Sequence, residues 1–256
     1  MAPYLLLRKT GFYIRNVTNK YIILGNLHNT AVKGLNAILR KRSIRCNICG
    51  WEGYKFYAMI GYHSIRYNAV CPHCFSKERH RSFIFYLEEQ GIIKSGLRCL
   101  DIGPVKSFRG YMEGKGCFYF SIDICSSAAM SKMDITNLGI KSSRFDLIIC
   151  YHVLEHVMND EVALREMYRV LKPEGKCFIQ VPFNRDTLET MEYGKSDAKE
   201  CDHVRSYGRD VPERIAQEGF VVQEVAFTID DSRKVKEYAL GKTDEFLFIG
   251  HKTQVR

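Results

Sequence analysis

Four cysteines stand in two pairs, Cys46-x2-Cys49 and Cys71-x2-Cys74, with 21 residues between the pairs. A Cys-x2-Cys turn aims two thiolates at one cation, and two such turns complete the tetrahedral sulfur set that zinc prefers. Gly50 and Pro72 suit the tight turns that such knuckles need. Four thiolates leave no coordination position open, so the predicted role is structural. The aromatic-rich run 54–70 between the pairs reads as a short hairpin. The resulting zinc ribbon, 46–75, is too small to fold without its metal.

A second concentration of chemistry is "YHVLEHV", 151–157, directly after the apolar run 145–150. Imidazole titrates near neutral pH, which makes His152 a candidate general base, with Glu155 beside it in the catalytic group. His156 is expected to face the acceptor or to fix the loop by hydrogen bonding. His-x2-Glu-His also has the spacing of a zinc-peptidase helix; here it begins at a strand end, so that match is set aside. Magnesium favours oxygen ligands, and a histidine at 152 argues against it.

"DHVRSYG", 202–208, offers a further set: His203 as a base, Arg205 as an anion clamp and Tyr207 beside it. The plain alternative is that Asp202 and Arg205 pair to hold a loop. Arg79, His80 and Arg81 fall in the first turns of a helix that Ser76 can cap and Gly91 can end. Arg79 there is a candidate for an anionic substrate group, against a merely solvated face.

These groups need elements to position them. From residue 97 onward strand-like and helix-like runs alternate, the pattern of a doubly wound parallel sheet with helices on both faces. The first strands end in "LDIG", "SIDI" and "KMDI", placing Asp101, Asp123 and Asp134 at successive carboxyl ends, where such sheets bind ligands. A carboxylate ending the second strand can take both ribose hydroxyls. The helix 159–175 is expected to end at Pro-Glu-Gly, and 184–209 reads as irregular. Two last apolar runs, "FVVQEVAFTI" and "DEFLFIGHK", are expected to pair antiparallel at the sheet edge.

The net charge of +9 is uneven: residues 1–51 hold nine Lys or Arg and no Asp or Glu, which leaves 29 basic and 29 acidic residues in the rest. The N-terminal segment, 1–45, reads as a basic amphipathic helical extension. It packs on its own domain, meets anionic lipid headgroups or grips nucleic-acid phosphates, and sequence alone does not separate these. Its apolar runs are too short to span a bilayer, and no secretory leader is read there. Ten cysteines without such a leader point to a reducing, cytoplasmic setting, at most peripheral to a membrane.

"LDIG", "SIDI", "MDITNL", "FDLIICYHVLEHV" and "RVLKPEGKCFIQVPF" together resemble the class I S-adenosylmethionine-dependent methyltransferases, over about 76–256. "CDHVRSYGRD" resembles a segment of one subgroup that combines a Cys-x2-Cys ribbon, an "ERHR" helix and a glycine-poor first loop. The resemblance implies a Rossmann-like seven-stranded sheet, S-adenosylmethionine as donor and S-adenosylhomocysteine as product. It places Asp101, Gly103 and Pro104 along the methionine part of the cofactor and Asp123 with Ile124 at the ribose. Asp134 and Ile135 would meet the adenine edge, and Cys150, Tyr151 and His152 would form the wall near the methyl. The acceptor expected is a small or glycan-like hydroxyl compound, lipid-linked if the basic segment meets a membrane. RNA methylation and a non-catalytic zinc-stabilised binding role are the alternatives. The neutral 52–256 region speaks against RNA.

Overall fold

The computed structural model describes residues 20–40, 42–61, 64–197, 202–241 and 245–253. The first basic residues, through Arg15, and Cys201 lie outside the described residues.

A seven-stranded sheet forms the centre. Its strands are β5 (Arg98–Ile102), β6 (Phe118–Asp123), β7 (Ser131–Lys132), β8 (Phe145–Tyr151), β9 (Leu171–Gln180), β12 (Val221–Phe227) and β13 (Glu245–His251). Their order is β12-β13-β9-β8-β5-β6-β7. The pairs β8·β9, β5·β8, β5·β6 and β6·β7 are parallel, while β13 runs antiparallel to both β9 and β12. The expected antiparallel pairing of the last two apolar runs is present, with β13 inserted between β12 and β9. The chain leaves β5 toward β6 and β7, then returns to the other side of β5 as β8. The carboxyl ends of β5 and β8 therefore flank the switch point where such sheets bind ligands.

Alternate residues of each central strand feed two cores. Leu100, Ile148, Cys150, Cys177 and Ile179 pack toward α4 (Asp160–Val170) and α5 (Val211–Gln217). On the other face Cys99, Leu147, Ile149 and Phe178 meet Phe83 and Leu87 of α2 (Glu78–Glu89) and Phe108 of α3 (Lys106–Gly114). Ile44, Cys46, Phe56 and Cys71 belong to this second core. The cysteine-bearing region is thus continuous with the core beneath the sheet.

That region consists of β1 (Ile44–Arg45), β2 (Glu52–Gly53) and the hairpin β3 (Tyr57–Ile60) with β4 (Ile65–Val70), as expected between the cysteine pairs. The helix α1 (Lys20–Ile38) lies on it: the Asn29 side chain bonds both the N–H and the C=O of Ala58, and Asn36 bonds the backbone at Tyr54 and Lys55. No described helix is long and apolar enough to cross a membrane.

Two expectations change. Helix α4 stops at Val170, because Pro173 excludes helical backbone from the residue before it and Leu171 is already extended. The region read as irregular contains an antiparallel pair, β10 (Met191–Asp197) and β11 (His203–Ser206). Between β12 and β13 lies α6 (Ser232–Tyr238), capped by the Asp231 carboxylate through the N–H groups of Arg233 and Lys234.

Candidate active site and cysteine cluster

Each cysteine pair closes a knuckle of the same form. The N–H of Gly50 donates to Cys46 O, and the N–H of Phe75 donates to Cys71 O. Gly50 and Phe75 both adopt left-handed backbone, at φ 71° and 59°. Cys46 Sγ lies 3.7 Å from Cys74 Sγ, and Cys49 Sγ lies 3.7 Å from Cys71 Sγ. A tetrahedron with about 2.3 Å metal–sulfur bonds has edges of about 3.8 Å. The four sulfurs are too far apart for disulfides and correctly spaced for zinc. Ser76 does not cap α2. Its hydroxyl sits 3.4 Å from Cys46 Sγ and 3.2 Å from Cys74 Sγ, within hydrogen-bonding reach of both sulfurs. The α2 start is instead capped by the His80 ring, whose Nδ1 accepts from the Lys77 N–H.

Arg81, the neighbour of Arg79, is fully buried and donates to four main-chain carbonyls: Ser76, Ala69, Tyr238 and Ala239. Its guanidinium also lies 4.3 Å from the Phe56 ring centroid. It ties the knuckle, the hairpin and α6 together. Arg79 stands two residues earlier and half-buried, on the first turn of α2.

At the carboxyl ends of the strands, the carboxylate of Asp101 is buried and accepts from the Tyr119 hydroxyl at 2.6 Å. Burial pushes its pKa up to about 7, the Tyr119 hydrogen bond opposing this in part. Gly103 continues the ladder through its N–H to Ile122 O, at φ 70°. A Cβ there would stand 2.6 Å from Val153 Cγ2, so the loop after β5 and the loop after β8 touch only because residue 103 is glycine. Pro104 is half-buried just beyond it.

Asp123 Oδ1 accepts from the N–H groups of Cys125 and Ser126, both at 2.6 Å, and the neighbouring Ile124 is 54% exposed. A fixed carboxylate with an exposed apolar neighbour fits a nucleoside. Asp134 closes a similar turn on Thr136. Ile135 and Cys150, by contrast, put their side chains into the core, so only their backbone faces the cofactor region. Tyr151 turns to the other face and packs against Phe83, centroids 4.4 Å apart.

After β8 the chain makes a 3-10 turn, Leu154–His156, rather than a helix. His152 takes left-handed backbone, φ 55°, and its N–H donates to Gln180 O. Its Nδ1 lies 3.0 Å from Glu155 Oε1, at a side chain only 1% exposed. His156 Nδ1 lies 3.2 Å from Asp202 O, and its ring meets the His203 ring at a centroid distance of 4.9 Å.

Arg205 is not placed to clamp an acceptor. It is buried, donates to the carbonyls of Leu154, Val157 and Met158, and pairs with Glu192 and Asp160. Tyr207 is also buried, its hydroxyl donating to Asp160, which Arg214 holds as well. His203, Arg205 and Tyr207 alternate along one chain segment and so share a face. That face pins the 154–158 loop and brings His203 to it. The pairing expected between Asp202 and Arg205 is replaced by Glu192 and Asp160, which the sequence alone did not single out. The signal was the two-residue period of "HVRSY", which marks a strand with one face inward.

A cleft lined by Arg98, Phe118, Phe120 and Arg144 lies at the amino ends of β5 and β6, away from this convergence of polar groups.

Residues 100–179, which run from within β5 to within β9, match the family described as methyltransferase domain. These residues carry a methyltransferase domain. Its fold is that of the S-adenosylmethionine-dependent methyltransferases. A chain of the complex between the Haloferax volcanii Trm112 methyltransferase activator and a methyltransferase candidate aligns with 14% identity over 69% of this chain and 91% of its own, at a TM-score of 0.50. A S-adenosylmethionine-dependent methyltransferase of Archaeoglobus fulgidus aligns with 15% identity over 69% of this chain and 95% of its own, also at 0.50. At such identities these neighbours speak for the fold. An uncharacterised protein of Methanocaldococcus jannaschii is 46% identical over 55 residues, so the match spans 22% of this chain and 24% of that relative.

Proposed function

We propose that the methyltransferase domain moves a methyl group from S-adenosylmethionine to a hydroxyl of a small or glycan-like acceptor carried on a lipid. The observation that carries this reading is the alignment of His152 beside the switch point. With the Glu155 carboxylate as acceptor, the His152 Nδ1 carries the proton and Nε2 presents a lone pair. As the methyl carbon passes from sulfur to the acceptor oxygen, the C–S bond breaks and the C–O bond forms. The hydroxyl proton goes to His152 Nε2, and the sulfonium becomes a neutral thioether. The remaining work is alignment and exclusion of water.

Asp123 would take the ribose hydroxyls through its second oxygen, Ile124 the adenine face, and Gly103 with Pro104 the methionine part. The cysteine cluster would hold a structural zinc.

The lipid-linked acceptor is supported by α1. Leu24, Leu27, Leu35 and Ile38 are exposed at steps of three, eight and three residues, which puts them on one side of the helix, and the segment also carries Lys33, Arg40 and Arg42 with no acidic residue before Glu52. Apolar side chains beside basic ones suit an anionic bilayer surface. Incubation with methyl-labelled donor and total cell extract is expected to move label into organic-extractable material. Label confined to RNA would overturn this acceptor class, and no binding of S-adenosylhomocysteine would overturn the methyl transfer itself.

A further inference from the structure

We infer that the cleft at the amino ends of β5, β6 and β8 is a binding site for one nucleotide, with its base against phenylalanines and its phosphate on Arg98 and Arg144. The cleft has a volume of about 250 Å³, room for a single ring system and below the usual span of pockets for larger ligands. Its Phe118 stands ~16 Å along β6 from Asp123, at the opposite end of the sheet from the switch point.

The wall is aromatic. Phe118 and Phe120 stand on the same face of β6. Phe118 is 66% exposed although it belongs to the central sheet, and Phe120 lies parallel to Phe145 with an interplanar angle of 11°. Such rings offer a stacking surface, and every base has a π-face to lay on it.

The edge of β6 is open here. β7 pairs with it only at Ile122 and Asp123. The N–H of Phe118 donates to Leu97 O on the β5 side, and Ser121 O accepts from the Met130 N–H on the outer side. Alternation along the strand therefore turns the N–H and C=O of Tyr119 outward, into the cleft, while its hydroxyl is held by Asp101. Neither main-chain group has a partner among the described residues. One donor beside one acceptor matches the edge of a base. With Ser121 O occupied, the open edge is too short for an added peptide strand, which needs a run of main-chain hydrogen bonds.

The charge fits a phosphate. The Arg98 guanidinium lies 5.7 Å from the Phe118 ring centroid, and Arg144 lines the same cleft. Neither guanidinium has an ion-pair or hydrogen-bond partner among the described residues. Asp146, the acid nearest Arg144 in sequence, is held by Lys172 Nζ and by the Arg98 N–H. Two guanidiniums suit a phosphate monoester, which carries close to two negative charges, better than a single carboxylate.

Calorimetric titration of adenosine monophosphate into the full-length protein, with S-adenosylhomocysteine in excess, tests the site. One saturable site is expected, with adenosine and inorganic phosphate each binding roughly tenfold or more weakly. Phe118→Ala and Arg144→Gln replace exposed side chains, so unchanged melting temperatures report intact folding. Each is expected to weaken binding roughly fivefold or more. A 5′-phosphorylated oligoadenylate is expected to bind no more tightly than the mononucleotide; tighter binding would make an RNA end the occupant and overturn the free nucleotide. Absence of saturable binding, displacement by S-adenosylhomocysteine, or indifference to both substitutions overturns the site. Protein that binds S-adenosylhomocysteine but no adenosine monophosphate loses this site and keeps the methyl-transfer reading.

Discussion

Arg205 of β11 holds Asp160 at 3.4 Å and donates to three carbonyls of the 154–158 loop, so the strand that carries His203 also fixes Glu155 and His156. The hydrogen-bonding atoms of that guanidinium are spent inside the protein, and the resulting shape of the loop sets the spacing of the candidate catalytic groups.

Substituting Arg205 should therefore cost both stability and geometry. Arg205→Ala takes a donor from three loop carbonyls, of which Leu154 O keeps the Val157 N–H, and leaves Asp160 with Arg214 as its remaining ionic partner, at a cost of roughly 3–5 kcal/mol, as for other broken buried ion pairs. Arg205→Lys supplies one compact ammonium where a planar fork is needed, and should recover only a fraction of the loss. Urea denaturation distinguishes these; equal stability of Arg205→Lys and the parent protein would count against the pin.

Turnover should depend on the His152–Glu155 pair more than cofactor affinity does. Loss of a positioned proton acceptor typically costs 10²–10⁴-fold in rate, so His152→Ala should fall in that range with S-adenosylhomocysteine affinity changed severalfold at most. Glu155→Gln keeps the shape but can offer its amide as a donor, which releases the His152 tautomer, and should lower the rate less. Full activity of His152→Ala would leave alignment alone as the driver of transfer.

The raised pKa of Asp101 has a defined sign. Its folded value, about 7, lies above the ordinary carboxylate value of 3.8, so between these values the folded state binds the extra proton. Stability should fall as pH rises from about 4 to 7 and level off above, with a span on the order of 4 kcal/mol for this group. Asp101→Asn should flatten that part of the profile. Parallel profiles for Asn and Asp would show that the buried acid is not the cause.

Zinc removal should be felt beyond the cysteine-bearing region. Cys46, Cys71 and Phe56 share a core with Phe83, Phe108 and Phe178, and buried Arg81 ties the knuckle to α6. Strong chelation should lower the melting temperature of the whole chain in one transition. A separate low-temperature step followed by an unchanged main transition would mean that the two regions unfold independently.

Much of this was legible in residues 46–183. The alternation of strands and helices, the acids ending β5 and β6, and the cysteine spacing each follow from local pattern, and the described structure repeats them. The signals that failed were long-range. Ser76 looks like a helix cap, but its distance to Cys46 depends on where the two knuckles meet. Arg205 looks like an anion clamp; its partners Glu192 and Asp160 are remote in sequence. Cys150 lies in β8, where strand pleat turns its side chain into the core, while Ile135 packs there from the turn after Asp134.

We propose that the carboxyl ends of β5, β6 and β8 form an S-adenosylmethionine site with Asp123 at the ribose. Calorimetric titration of S-adenosylhomocysteine into the parent protein and Asp123→Ala tests it most directly. The predicted result is one site per chain, weakened roughly tenfold or more by loss of a carboxylate that accepts two hydroxyl hydrogen bonds, with thermal stability nearly unchanged. Equal affinity in the two proteins, or no binding in either, would contradict it.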